Sequence, residues 1–263
     1  MLKNDYRDKF DIFVCGGSRH FDLLYDLLPR LAPFGRTHLA SITLTARELD
    51  ALGPYCDLVH RPLHHPDGYI NFNLFCIRDI NRLAQGKHFI KLDADIKLPN
   101  YWIEYVERSL RLQPDAVLFG PEAGGSTIDI EITGPAAVRQ LGREIRVRKK
   151  RKICGLFHVG RTEFFKQHDA FMQSVHRLLF ANDPANGAAT NRELEPESKN
   201  RRRGLEIKGY QRNLRGIGDE DTLRSLVVHA LGAGDRMFML DGPSVGLDDF
   251  EVDQWPLLDE RAG

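Results

Sequence analysis

Residues able to do chemistry concentrate first in His88-Phe89-Ile90-Lys91-Leu92-Asp93-Ala94-Asp95, an apolar run that reads as a buried strand and stops on two carboxylates one residue apart. Carboxylate oxygens suit hard cations such as Mg²⁺ or Mn²⁺, which keep several waters and complete their shell with substrate phosphate oxygens. In an open α/β sheet, ligands bind beyond the carboxyl ends of the strands, so Asp93 and Asp95 fall where a phosphorylated ligand would sit. Taken alone, Asp-x-Asp is a short pattern common in surface turns. Its context adds weight: a strand precedes it, Pro99 and Asn100 supply a turn and cap, and Tyr101 to Leu112 follows with helical apolar spacing at Trp102, Val106 and Leu110.

Two further groups carry candidate chemistry. Cys15-Gly16-Gly17-Ser18-Arg19 follows an apolar strand and could cradle phosphates through backbone amides, or be a plain tight turn. Asp219-Glu220-Asp221 opens a helical pattern, where acids also satisfy free amides and the positive end of the helix dipole. His64, His65 and His158 read as structural histidines by default. The basic run Arg146 to Lys152 reads as a solvated face that could attract a phosphorylated or lipid-linked acceptor, and Arg201 to Arg203 as an ordinary disordered segment that could instead close over a diphosphate.

The elements that must position these groups alternate strand and helix over the first hundred residues, which predicts parallel strands with crossover helices. Strands are expected at Phe10 to Val14, Leu39 to Leu44, Asp57 to His60 and His88 to Asp93. Helices are expected at His20 to Leu31, Ala46 to Leu52 and Phe72 to Ala84. Beyond Pro114, Ala116 to Phe119 and Thr127 to Ile132 read as two strands around a Gly-rich turn, a hairpin or mixed edge. A short helix at Pro135 to Leu141, a strand at Ile153 to Val159 and a helix at Phe164 to Phe180, broken near Asp169, come next. Residues 182–215 lose periodicity and predict a mobile loop. Helix Asp219 to Leu231, closed by Gly232, and strand Arg236 to Leu240 complete the pattern.

Composition bounds the partners. The 263 residues are 42% hydrophobic and 28% charged, with 37 basic against 37 acidic side chains, so no global charge argues for nucleic acid. No segment has the length and apolarity of a membrane span, and the polar start lacks a signal-peptide core. The expectation is a cytoplasmic protein, free or peripheral at the inner membrane face. Cys15, Cys56, Cys76 and Cys154 form no Cys-x-x-Cys pair, so buried free thiols are expected.

Together these features resemble the GT-A-fold glycosyltransferases, in particular the family 2-like inverting enzymes, from Phe10 to about Leu240. The resemblance rests on Gly68 to Asp95, with Arg78, Ala84-Gln85-Gly86 and Asp93-Ala94-Asp95. It rests also on Gly155-Leu156-Phe157-His158-Val159-Gly160-Arg161-Thr162-Glu163-Phe164-Phe165, and on Gly218-Asp219-Glu220-Asp221-Thr222-Leu223 with Gly232. It implies a mixed, mostly parallel, Rossmann-like central sheet flanked by helices. A single domain is implied, with residues 1–100 as a nucleotide-sugar donor half and 115–263 as an acceptor half. The implied reaction moves a sugar from a nucleotide-sugar donor to the hydroxyl of a glycan, lipid-linked or small-molecule acceptor, with Mn²⁺ or Mg²⁺ and inversion. On that template Asp95 binds the metal and Asp93 binds metal or donor ribose. Cys15, Gly16, Gly17, Arg19, Arg78 and Ala94 line the donor, His158 lies on the acceptor side, and Asp221 is the base, with Glu220 and Asp219 as alternatives. Where the family carries an acidic Asp-Gly-Ser segment against the base, this chain has Thr43-Leu44-Thr45-Ala46-Arg47, which leaves the nucleotide open. A sugar-phosphate nucleotidyltransferase and a non-catalytic nucleotide- or glycan-binding relative are the competing readings.

Overall fold

In the computed structural model, residues 4–41, 43–61, 75–96, 98, 102–153, 157–180, 206–208 and 220–240 are described. Strands β1 (Phe10–Cys15), β2 (Arg36–Ala40), β3 (Leu58–His60) and β4 (His88–Asp93) run parallel in the order β3-β2-β1-β4. Next to β4 lies β7 (Phe157–Arg161), antiparallel to it, then β5 (Leu118–Thr133), antiparallel to β7, and β9 (Met237–Leu240), parallel to β5. Six of these seven strands therefore share one direction, and the expected mixed, mostly parallel central sheet flanked by helices is what the chain builds.

Period-two alternation in β1 decides which residues face which layer. Phe10, Ile12 and Val14 pack with Leu24, Leu27, Leu28 and Leu31 of helix α2 (Phe21–Leu31), whose apolar residues at i, i+3, i+4 and i+7 form one buried stripe. Phe13 and Cys15 face the other layer, under a π turn (Phe75–Asp79) that runs straight into a short helix at Ile80–Leu83. That layer also holds the helices Thr162–Gln167, Asp169–Phe180 and Glu220–Ala230. These three helices are α7, α8 and α9, preceded along the chain by α1 (Asn4–Arg7), α3 (Ala46–Leu52), α4 (Ile80–Leu83), α5 (Trp102–Leu112) and α6 (Pro135–Leu141).

Several expectations shift. The two strands expected around a Gly-rich turn are one strand: β5 is 16 residues long and carries irregularities between Glu122 and Thr127 and between Ile128 and Ile130. Bulges bend and twist a strand without ending it, so β5 leaves the central sheet and joins a second one with β6 (Ile145–Ile153) and β8 (Glu206–Lys208). The basic run is β6 itself, whose cationic side chains are mostly exposed while Ile145, Val147 and Ile153 are buried. The strand expected at Ile153 to Val159 is divided between β6 and β7. Strand β2 begins three residues earlier than expected and stops at Ala40, because Thr45 opens α3 with a capping box to Glu48. Within the stretch expected to be a loop, Glu206–Lys208 pairs with β5; His64, His65 and Arg201 to Arg203 lie outside the described residues. No described helix is long and apolar enough to cross a membrane.

Candidate active site

Connections from β1 run outward to β2 and β3, then return across β1 to β4. The chain thus diverges to opposite sides beyond the carboxyl ends of β1 and β4, which opens a crevice there. Cys15 and Asp93, the last residues of the two strands, are register partners, and the Ala94 amide donates to the Cys15 carbonyl at 3.0 Å. The Asp93-Ala94-Asp95 turn and the Gly16 to His20 turn therefore meet at the crevice.

Packing explains the glycines. A Cβ on Gly16 would stand 2.7 Å from the Ala94 Cβ, and one on Gly17 would stand 2.4 Å from Thr43 Oγ1. Ala94 matters for the same reason: its small side chain is buried where the two turns touch. The Ser18 amide donates to Thr43 Oγ1 at 3.0 Å, and the Ser18 hydroxyl bonds the Thr43 carbonyl and, at 3.1 Å, Glu48 Oε2. Thr43, and Thr45 through Glu48, are thus occupied in bracing the turn. Glu48 is held below the usual carboxylate range by bonds from the Thr45 amide and hydroxyl and from Ser18.

Around the two acids, charges alternate in sign. Lys91, two residues before Asp93 and hence on the same face, is buried and donates to Asp93 Oδ1 at 2.8 Å; the Asp93 side chain is 32% exposed. Asp95 is half-buried and acts electrostatically on His20. Arg19, exposed, places its Nε 3.1 Å from His20 Nε2. Burial and Arg19 lower the His20 pKa, with Asp95 opposing them. Among the described residues no group of three or more His, Cys, Asp or Glu is arranged to hold a metal. The donor set still fits Mg²⁺ or Mn²⁺, which take one or two carboxylates and rely on phosphate oxygens and water for the rest. Asp95 fits better than Asp93, one of whose oxygens already accepts from Lys91.

Other predicted site residues fall in different surroundings. His158 is wholly buried on β7, in register with Lys91, and both its ring nitrogens lack a hydrogen-bond partner among the described residues. Burial, Arg224 and Lys91 hold it well below the ordinary histidine range. It is therefore a neutral core residue beside Lys91 here, not a surface facing an acceptor. Arg78 forks onto its neighbour Asp79, at 3.0 and 3.2 Å, on the π turn. Glu220 and Asp221 open α9, and Asp219 lies outside the described residues.

Two constellations escaped the sequence reading. Arg224 is fully buried on α9, sandwiched 4.6 and 4.7 Å from the Phe89 and Phe165 rings, with bonds to Asn81 Oδ1 at 2.8 Å and to the Cys76 carbonyl at 2.6 Å. It fastens the start of α9 to the π turn, and Cys76 Sγ lies 3.5 Å from Cys15 Sγ at the crevice. The second is a hydrogen-bonded line across β1, β2 and β3. Asp11, at 0% exposure, accepts from the Gln85 and Gly86 amides at 2.5 Å each, from Arg36 at 3.1 Å, and meets His38 Nε2 at 3.1 Å; His38 Nδ1 meets His60 Nε2 at 3.0 Å. Burial would raise the Asp11 carboxyl, but the bonds from His38 and the two amides outweigh it and leave it below the usual range. An ionised Asp11 only accepts, so His38 carries its proton on Nε2 and receives one from His60 Nε2, which leaves His60 Nδ1 as an acceptor. His60 lines a cleft of about 490 Å³ with Arg61, Phe75, Asp79 and Arg82. Alternation could have flagged Asp11, a lone acid inside an apolar strand, and Lys91, two residues from Asp93; nothing local marked Arg224.

No family model matches this chain, and no curated protein matches it. Solved structures similar to it include that of TarS residues 1–349 from S. aureus, at a TM-score of 0.40 and 10% identity, covering 84% of this chain and 72% of that one. Another is mouse xyloside xylosyltransferase 1 in its apo form, at a TM-score of 0.43 and 12% identity, covering 89% of this chain and 84% of that one.

Proposed function

We propose that this chain is a metal-dependent inverting glycosyltransferase, GT-A-like and similar to family 2, that moves a sugar from a nucleotide-sugar donor to an acceptor hydroxyl. One observation carries the reading: an Asp-x-Asp turn and a glycine turn meet at the carboxyl ends of β1 and β4, where the chain diverges. Asp95, with Asp93, would hold Mn²⁺ or Mg²⁺. Such an ion, when bound, neutralises charge that grows on the departing diphosphate.

The chain's own groups do the rest. Arg19, exposed in the Gly16 to His20 turn, is the cation offered to the donor phosphates, and Lys91 holds the Asp93 carboxylate in place. The base of the nucleotide lies toward the His60 cleft, since Thr43 and Glu48 are engaged with the turn. His60 and Asp93 share one rank of the sheet, three interstrand spacings or about 14 Å apart, a length suited to a nucleotide laid along the edge. Asp221, at the start of α9, takes the acceptor proton, with Glu220 and Asp219 adjacent. General-base catalysis of this kind is worth about 10² to 10⁴ in rate. Cationic β6 offers a surface for a phosphorylated or lipid-linked acceptor, and the protein works in the cytoplasm.

A thermal-shift panel of nucleoside diphosphates with and without Mn²⁺ tests the reading. Asp95→Asn is expected to lose the Mn²⁺-dependent shift, whereas Asp221→Asn keeps it and loses turnover of the nucleotide sugar. An equal Mn²⁺-dependent shift in wild type and Asp95→Asn would remove the metal assignment. Full turnover in Asp221→Asn would remove it from the base role.

A further inference from the structure

The two sulfurs at the crevice are the least explained reactive groups of the molecule. Cys15 ends β1, and Cys76 lies in the π turn packed over it; their Sγ atoms are 3.5 Å apart, with the residues 6% and 1% exposed. Both are reduced. A disulfide needs the sulfurs at about 2.05 Å, so they must close by roughly 1.5 Å. Cys15 is held on a central strand with neighbours on both sides. Cys76 belongs to a five-residue π turn before a four-residue helix, and Arg224 holds its carbonyl, so the approach falls to the side-chain torsions of the two cysteines.

We propose that Cys15 and Cys76 form a reversible oxidation site whose substrate is a small peroxide. The thiolate of one cysteine attacks a peroxide oxygen and becomes a sulfenic acid, releasing water. The second thiol then attacks that sulfur, the disulfide forms, and a second water leaves; two thiols and one hydrogen peroxide give one disulfide and two waters. Burial excludes bulky disulfide oxidants, so the fitting oxidant is one as small as hydrogen peroxide. Cys56, half-buried with its thiol pushed up to about 12 by burial and Asp57, serves as the internal control.

The bond would tie the π turn to the strand end that is in register with Asp93, so the site sits at the crevice without depending on what binds there. Native full-length protein is exposed to hydrogen peroxide, quenched with catalase, alkylated after denaturation and mapped by peptide mass spectrometry. A cross-linked peptide containing Cys15 and Cys76, lighter by two hydrogens and released by dithiothreitol, is expected, with Cys56 still alkylated. In Cys76→Ala the cross-link should vanish while Cys15 traps a sulfenic-acid probe. The proposal is overturned if native protein keeps both thiols fully alkylatable under peroxide, or if the cross-link forms only in denatured protein; the pair is then simply packed sulfur.

Discussion

Lys91 is the residue on which the reading of the crevice turns. Its ammonium bonds Asp93 Oδ1 at 2.8 Å while its side chain is only 4% exposed, so the pair is an ion pair buried at the lysine and about one-third exposed at the acid. A cation bound at Asp93 competes with that ammonium. Lys91→Met, similar in volume, is therefore expected to tighten binding of Mn²⁺ alone by about tenfold, roughly 1.4 kcal/mol, measured by isothermal titration without nucleotide. Unchanged affinity would leave Asp93 as Lys91's structural partner and rest the metal on Asp95. Arg224 makes the opposite case, a buried cation whose partners are all internal. Arg224→Met strands the Asn81 and Cys76 oxygens and should cost about 2 to 4 kcal/mol in urea unfolding. Arg224→Lys should rescue little, because lysine lacks the planar fork that fits between Phe89 and Phe165. A stability equal to wild type in both variants would show that Arg224 is not the anchor of α9.

At the scale of elements, the turn after β1 and the turn after β4 are one unit. Gly16→Ala places a methyl 2.7 Å from the Ala94 Cβ and must push the two turns apart. Overpacking of this kind costs about 1 to 3 kcal/mol. The expected signature is a lowered melting temperature together with a weakened Mn²⁺-dependent shift by nucleoside diphosphate, while Gly142→Ala, far from the crevice, leaves that shift intact. A normal ligand shift in Gly16→Ala would separate the glycine turn from the acids. Element boundaries also show where local signals failed. The glycines near 124 read as a turn, yet β5 runs through them because bulges let it leave one sheet and enter another. Arg146 to Lys152 read as a charge run, and the period-two burial of Ile145 and Val147 makes it a strand with a solvated face.

For the molecule as a whole, buried histidines set the acid limit of stability. Burial first, joined by His38 at His60 and by nearby cations at the others, brings His60, His88 and His176 down to about 4 and His158 well lower. In the unfolded chain each takes a proton near 6.5. Between those values the unfolded state binds more protons, so stability falls as pH drops from about 6.5 toward 4. His88, 4% exposed, is linked to about 3 kcal/mol of this. Asp11, held low, adds a further loss below its unfolded value, as acid removes its charge. Melting temperatures should be level from pH 7 to 8 and decline steadily below 6.5, with a shallower decline in His88→Phe. A level profile down to pH 5 would contradict the burial of these rings.

Much of this was open to reading in the chain. Continuous apolar runs marked β1 and β4, which are buried on both faces, and period-3.6 spacing marked α2, α3 and the break at Asp169, since each pattern is local. The same spacing put Asp93 at a strand end, and with it the expectation of a crevice ligand. Tertiary structure alone decided that β7 inserts between β4 and β5, that His158 is enclosed, and that Arg224, Asn81 and Cys76 meet across up to 148 positions of sequence. The physical reason is the range of the interactions. Backbone periodicity is written over a few neighbours, whereas a buried charge or thiol takes its role from groups that only the closed sheet and its covering helices bring within reach.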